Sequence, residues 1–210
     1  MELEDAITRR RMVRAFATTP IASAAIDELL DLSRRAPSAG NTQALSFVVL
    51  DTPSATARYW AVTLPAPRRD RFRWRELLDA PVLVLVATEP AAYPARYAEP
   101  DKERAGLGRS VDDWPVPYWW VDVGAVIQNL LLLVVDRGLG ACLFGPFDDE
   151  PELRDEFGLG PGVRIAATIA IGHPLPDDPG RSAGRPRPPL GAVVSRPGRG
   201  RPADRRAAPR

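Results

Sequence analysis

The sequence predicts a layered fold of helices packed on a sheet, of α+β or α/β class, and three stretches carry that prediction. Residues 81–87 are a continuous β-branched apolar run, the pattern of a strand covered on both faces. Residues 163–171 alternate, with Val163, Ile165, Ala167, Ile169 and Ile171 on one side, the pattern of a strand with one well-buried face. Between them, residues 118–137 form a helical pattern that is apolar nearly all the way round, as expected of a helix buried at the centre of something. Strands separated by helices imply layers.

The remaining elements follow in order. Residues 2–12 read as a first helix, acidic at its start and basic at its end, which suits the macrodipole. The pattern breaks from Phe16 to Pro20. Ile26, Leu29, Leu30 and Leu32 then set the apolar face of a second helix, which Ala36 ends because the residue before Pro37 disfavours α geometry. Residues 45–50 suit a short buried strand, and 53–79 two short helices around the Pro/Arg-rich connection 65–69. Residues 90–117 mix prolines, glycines, tyrosines and charges without a sustained period, an irregular insertion of the kind that is usually functional or mobile. Gly138 and Gly140 close the long helix, a strand is expected over 141–144, and a short helix over 149–157 with Asp149 as its cap.

Length and composition bound the rest. The chain of 210 residues, 45% hydrophobic, has the makings of a substantial core. One domain is expected over residues 1–195, followed by a basic, Pro/Arg-rich tail, 196–210, expected to be disordered. From Arg181 onward there are nine arginines against the single acid Asp204, so the preceding body is net acidic. Such a tail could contact nucleic acid or a membrane. Yet Lys102 is the only lysine, so arginine is this chain's default cation and its enrichment carries little information.

Cys142 is the only cysteine, which excludes an internal disulfide and suggests a reducing compartment. The acidic start, Met1-Glu2-Leu3-Glu4-Asp5, lacks a signal-peptide layout. The apolar stretch 123–135 is interrupted by Gln128 and Asn129 and is short for a membrane span. A cytoplasmic protein is expected. One cysteine and one histidine, His173, exclude a His/Cys metal site, and no nucleophile elbow or strand-linked G-x-G-x-x-G is present.

Four segments carry chemistry. Arg10, Arg11 and Arg14 concentrate guanidinium charge, and on a helix Arg10 and Arg14 would share a face and clasp a phosphate. Cations at a helix C-terminus are the plainer alternative. In the loop 37–43, Pro37 stops the helix, Ser38, Asn41 and Gln43 offer hydroxyl and amide groups, and Gly40 lets backbone approach a ligand. An ordinary helix-to-strand turn would use the same residues. Leu143-Phe144-Gly145 ends in an unobstructed backbone N–H, and Arg185 and Arg187 lie on one side of a proline-stiffened segment. Trp114, Tyr118, Trp119 and Trp120 either pack or stack on a flat acceptor, and Tyr93 and Tyr97 are candidates for a mobile lid.

Taken together, RRMVRAF, APSAGNTQ, QNLLLLVVDRGLGACLFGPFD, VRIAATIAIGHP and RPRPPL, in this order and spacing over roughly residues 5–194, resemble the FMN-dependent nitroreductase family. The resemblance implies an α+β, three-layer fold with a central mixed or antiparallel sheet flanked by helices and a long helix at the core of a homodimer. It implies tightly bound FMN at the subunit interface, with NAD(P)H as transient donor and a small planar acceptor. Arg10, Arg11, Arg14, Arg185 and Arg187 would hold the FMN phosphate. Pro37, Ser38, Asn41 and Gln43 would line the ring and ribityl chain, and Leu143, Phe144 and Gly145 one ring face, with the Gly145 N–H near N5. Met12 stands where the family usually has serine, Ala44-Leu45 where it has Pro-Trp, and Gly145-Pro146 where better-known members carry an acid and a glycine.

The expected activity is an FMN-dependent, NAD(P)H-driven reduction of a nitroaromatic, quinone or similar acceptor by a ping-pong scheme. No metal, membrane or nucleic-acid partner is expected. The rivals are a flavin-dependent dehydrogenase or deazaflavin-using relative on the same fold, and a flavin-less binding protein with a nucleic-acid-contacting tail.

Overall fold

The computed structural model describes residues 1–177, 180 and 183–197. They fall into two compact units, Met1–Asp178 and Pro179–Arg210. In the first unit, β2 (Leu45–Leu50), β3 (Val82–Thr88), β4 (Gly140–Phe144) and β5 (Arg164–Pro174) join with the two-residue β1 (Phe16–Ala17) in one antiparallel sheet. β5 and β3 are central and β2 forms one edge, while β4 and β1 lie end to end along the other.

β3 is buried at every position, because helices cover both faces of the sheet. Val82, Val84 and Val86 point into a core with Ile26, Leu29 and Leu30 of α2 (Ser23–Ser33) and Val123, Ile127 and Leu130 of α6 (Tyr118–Asp136). Leu83 and Leu85 point the other way, into a core with Tyr59 and Trp60 of α3 (Pro53–Thr63) and Leu153 of α7 (Glu150–Glu156). This is the expected three-layer arrangement.

Several expectations need correction. α1 spans Leu3–Arg9, not 2–12, so Arg10 and Arg14 do not share a helical face. The chain after it is pulled straight by the sheet: the Val13 N–H donates to the Ala141 carbonyl at 2.9 Å. Gly140 makes the approach possible, since a Cβ there would lie 2.9 Å from Val13 Cγ2. The insertion at 90–117 holds a helix, α5 (Ala92–Tyr97), and two single 3-10 turns. In β5 a bulge opposite Val86 and Ala87 turns Ile165 to the face opposite Ile169 and Ile171, and Thr168 and Ala170 are buried too, so both faces are covered. Thr168 is satisfied there by the Tyr59 hydroxyl at 2.9 Å, and burial pushes that phenol up to about 12. Of the two short helices expected around the connection 65–69 only the first, α3, forms as such: the connection itself is the helical turn α4 (Ala66–Arg69), and a single 3-10 turn, Arg75–Leu77, follows it. α3 is capped by Thr52, which accepts from the Ala55 N–H at 3.2 Å, but Asp149 makes no side-chain cap for α7.

α6 is the expected long helix, but only one side of it is buried. Trp119, Asp122, Val123, Val126, Ile127, Leu130, Leu131 and Val134 face the core, whereas Trp120, Val121, Gly124 and Gln128 are exposed and Ala125, Leu132 and Val135 half-covered. At a mean hydropathy of 1.6, α6 is long and apolar enough by composition to cross a bilayer, yet its inner face packs on the sheet as a core helix does.

In the second unit, residues 185–189 are irregular and α8 (Leu190–Val193) forms one turn with Leu190 and Val193 exposed. Of the tail expected at 196–210, residues 198–210 lie outside the described residues.

Candidate functional site

Apart from Arg185 and Arg187, the predicted site residues fall into two groups on opposite edges of the sheet. The first runs along β4. Residues 10–14 lie beside it, joined at Met12 and Ala141 by a parallel bridge. The Leu143 N–H donates to Met12 Sδ at 3.3 Å, so the thioether occupies a backbone donor that would otherwise face the segment. Arg11 pairs with Asp177, whose second oxygen accepts the Arg14 N–H at 2.7 Å. The Asp177 side chain is only 3% exposed; burial raises its affinity for a proton, but the hydrogen bonds from Arg14 and Arg11 together win, and it is held below the usual carboxylate value. That pairing ties down the backbone of Arg14 and leaves its guanidinium elsewhere. Arg14 Nη1 reaches the Met12 carbonyl at 3.3 Å and the group sits 5.2 Å from the Trp74 ring centre. Arg73 approaches the same indole at 5.4 Å. Arg14, Arg73, Trp74, Glu76 and Asp177 line a cleft of about 500 Å³. Among the described residues, Arg10 makes no side-chain hydrogen bond or ion pair.

Leu143 and Phe144 close β4. Phe144 is turned inward and stacks on Trp60 at 5.9 Å, so its ring is committed to the core rather than free to cover a ligand. Gly145 follows, with the Phe147 ring over it at 3.3 Å from where a Cβ would stand. Phe147 is 85% exposed and has a φ of 45°, an outlier for an aromatic residue. Cys142 is buried, which pushes its thiol up against the opposing pull of Arg14, so it stays protonated and unreactive.

The second group is the loop before β2. Gly40, Asn41 and Gln43 all have positive φ, 62°, 57° and 54°. The loop closes on itself: the Gln43 N–H donates to Ser38 Oγ at 3.0 Å and Gln43 Nε2 to Asn41 Oδ1 at 2.9 Å. Pro37, Ser38 and Gln43 line a pocket of about 190 Å³ together with Tyr93 and Asp122. The Asp122 carboxylate, buried on α6, accepts from the Ala39 N–H at 2.9 Å and the Tyr93 hydroxyl at 2.7 Å. Burial, and then the hydrogen bond and charge of Asp122, push the Tyr93 phenol well above its usual range, so it remains a donor. Trp114 and Trp119 pack around Tyr93, while Tyr118 and Trp120 stay exposed. Tyr93 and Tyr97 are therefore packed parts of the loop's wall. Asp122 was not singled out by the sequence, although it is the only charged residue in the apolar run 118–135, which was the available signal.

The two groups share no cavity. β2 and β4 are separated by β3 and β5, three strand spacings or about 14 Å. Arg185 and Arg187, in the second unit, are exposed. Among the described residues, no cluster of three or more His, Cys, Asp or Glu could hold a metal.

The nitroreductase family model matches residues 7–173. A 4-nitrobenzoate reductase of Pseudomonas putida is 28% identical over 197 residues, covering 82% of this chain and 85% of its own. Among solved structures, a nitroreductase family protein of Streptococcus pneumoniae superposes with a TM-score of 0.69 at 18% identity, covering 93% of this chain and all of that one. A protein named as a nitroreductase, from Exiguobacterium sibiricum and in complex with FMN, gives a TM-score of 0.70 at 17% identity over 93% of this chain and 97% of that one. With the family model spanning most of the sheet and both groups of site residues, the chain belongs to the nitroreductase family of oxidoreductases.

Proposed function

We propose that the chain is a homodimeric, FMN-dependent oxidoreductase that takes hydride from NADH or NADPH and then reduces a nitroaromatic, quinone or similar planar acceptor. The observation that carries this reading is the split of the candidate residues between the two edges of one sheet. On one edge is a cleft lined by Arg14 and Arg73 with Glu76 and Asp177, and beside it in sequence Met12 meets the Leu143 N–H at the end of β4. On the other is a donor-rich loop whose own pocket, about 190 Å³, is small for a ligand of flavin size. Each is half of a flavin site, and a second copy supplies the other half. The bare side of α6, with Val121, Gly124, Ala125, Gln128, Leu132 and Val135 at three- and four-residue spacing, is the surface on which two copies would meet.

The chemistry of the donor set suits FMN. Arg14, with Arg10 nearby in sequence and Arg187 from the C-terminal segment, matches a phosphate; Ser38, Asn41 and Gln43 match the carbonyl and nitrogen edge of a ring. Bound FMN supplies the hydride-accepting and hydride-donating chemistry. The chain's own residues do the rest. Asp177 fixes the Arg14 backbone while the guanidinium lines the cleft, held 5.2 Å from the Trp74 ring centre. The left-handed turn at Gly40 and Asn41 presents amide and hydroxyl groups from one rigid loop. Gly145, lacking a side chain, lets a ring approach its N–H. The carboxylate and phenol in the pocket, Asp122 and Tyr93, are committed to each other and to Ala39, so protons would come from solvent.

The test is the visible spectrum of the purified protein, with FMN added if needed, recorded without air before and after NADPH and NADH. A bound flavin that bleaches with either nucleotide is expected. A flavin that stays oxidised would refute the nicotinamide donor, and no binding of FMN would refute the reading.

A further inference from the structure

The loop Ser38–Gln43 is left-handed at Gly40, Asn41 and Gln43, a conformation that glycine and asparagine accept readily and glutamine does not. Positive φ at Gln43 persists only where surroundings over-determine it. Three contacts come from outside the loop. At one end Asp122, itself fixed by Tyr93, takes the Ala39 N–H. In the middle, Arg96 Nε donates to the Gly40 carbonyl at 2.9 Å from 56 residues away. Above it, the Tyr97 ring rests where a Gly40 Cβ would stand, at 2.6 Å. Tyr93, Arg96 and Tyr97 all belong to α5.

Arg96 is not a generic surface cation. Its Nη1 and Nη2 engage both Asp101 oxygens at 2.7 Å, Nη1 also meets Glu99 at 3.1 Å, and this fork leaves Nε with one direction in which to point. The group it points at is the carbonyl of the Gly40–Asn41 peptide, whose plane sets where the Asn41 amide is presented. A lysine has no second arm to fix such an angle.

We propose that Arg96, oriented by Asp101, is a positioning residue for the loop that holds the flavin ring, with the Asp122–Tyr93 pair fixing the loop's entry. The proposal rests on the flavin reading for its consequence, but its structural claim can be measured without flavin. Arg96 acts through the Gly40 carbonyl and touches neither cofactor nor acceptor.

The experiment compares full-length wild type with Arg96→Gln and Arg96→Lys. Hydrogen exchange of residues 38–44 is measured without FMN, then FMN affinity by fluorescence and the absorption bands of the bound flavin at saturation. Arg96→Gln is expected to speed exchange in this loop at least tenfold while exchange in β3 is unchanged. It is expected to weaken FMN binding about tenfold, as loss of one charge-assisted hydrogen bond implies. The bands of the bound flavin should shift toward those of free FMN, and Arg96→Lys should fail to restore either property. Unchanged loop exchange overturns the proposal, whether or not wild type binds FMN. Faster exchange with unchanged affinity and bands overturns the positioning role and leaves Arg96 a structural contact. If wild type binds no FMN but the loop exchanges faster in the variant, the flavin reading falls and the clamp stands. Should Arg96→Gln not fold, Asp101→Asn keeps the arginine and unties its fork; it is expected to show the same changes to a smaller degree, and their absence overturns the proposal.

Discussion

Replacing Gly40 by alanine separates two physical terms that meet at one atom. The residue has a φ of 62°, and an added Cβ would stand 2.6 Å from Tyr97 Cε2. The left-handed conformation costs an alanine about 1–2 kcal/mol. Overpacking against the ring adds about 1–3 kcal/mol, because Tyr97 cannot simply swing aside. Its ring is packed edge-on against Trp114 at 4.7 Å and its face carries Lys102 at 6.0 Å. Gly40→Ala should therefore lose about 2–5 kcal/mol in urea unfolding. In a Tyr97→Ala background the same substitution should cost only the conformational part, about 1–2 kcal/mol. Equal costs in both backgrounds would show that the ring is not the wall, and a cost near zero would refute the left-handed turn itself.

Other outcomes follow from the same structure. Arg14→Ala combined with Arg187→Ala should release FMN, with at least about a hundredfold rise in Kd from two lost charge-assisted contacts; full cofactor occupancy would refute the phosphate assignment. Because the folded Asp177 titrates below the ordinary carboxylate value, its stabilisation is complete above that value and is lost as pH falls through the lowered one. Melting followed across this acid range should accordingly show a flatter decline for Asp177→Asn than for wild type, and parallel curves would contradict the pairing. Val121, 53% exposed on the bare side of α6, is expected to make Val121→Asp monomeric by sedimentation, and an intact dimer would place the interface elsewhere.

Elements whose pattern is local were legible in the sequence; those set by distant partners were not. β3 and α6 announce themselves because burial on both faces, or on a long apolar face, needs no knowledge of neighbours. β1 is two residues long and exists only because His173 and Pro174 lie opposite it. The end of α1 was misplaced because residues 10–14 are straightened by β4, some 130 residues later, which overrides helical propensity. α5 carries Pro94 and is held by Arg96, Tyr93 and Tyr97, contacts that leave no helical period in the sequence. The bulge in β5 was hidden by a clean alternation that the structure breaks between Ile165 and Ala167.

The site divides in the same way. Arginine-rich and amide-rich segments are visible as motifs because the residues that would touch a ligand are contiguous. Phe144 reads as part of one such motif, yet its ring belongs to Trp60. The supporting residues come from three places, Asp122 from α6, Tyr93 and Arg96 from α5 and Asp177 from the stretch after β5; the sequence marked Tyr93 only as a lid candidate and Asp122 only by its lone charge in an apolar helix.

The central claim is a flavin site assembled from two copies, and mixed dimers test it most directly. Arg14→Ala damages the edge carrying β4, and Ser38→Leu blocks the loop on the other edge. Each homodimer should lose FMN. A heterodimer of the two, isolated by two different tags, contains one undamaged site and one doubly damaged site if each flavin spans both subunits. The account predicts FMN bound at about half the wild-type occupancy. A heterodimer as empty as its parents would contradict it, because both halves would then belong to a single chain.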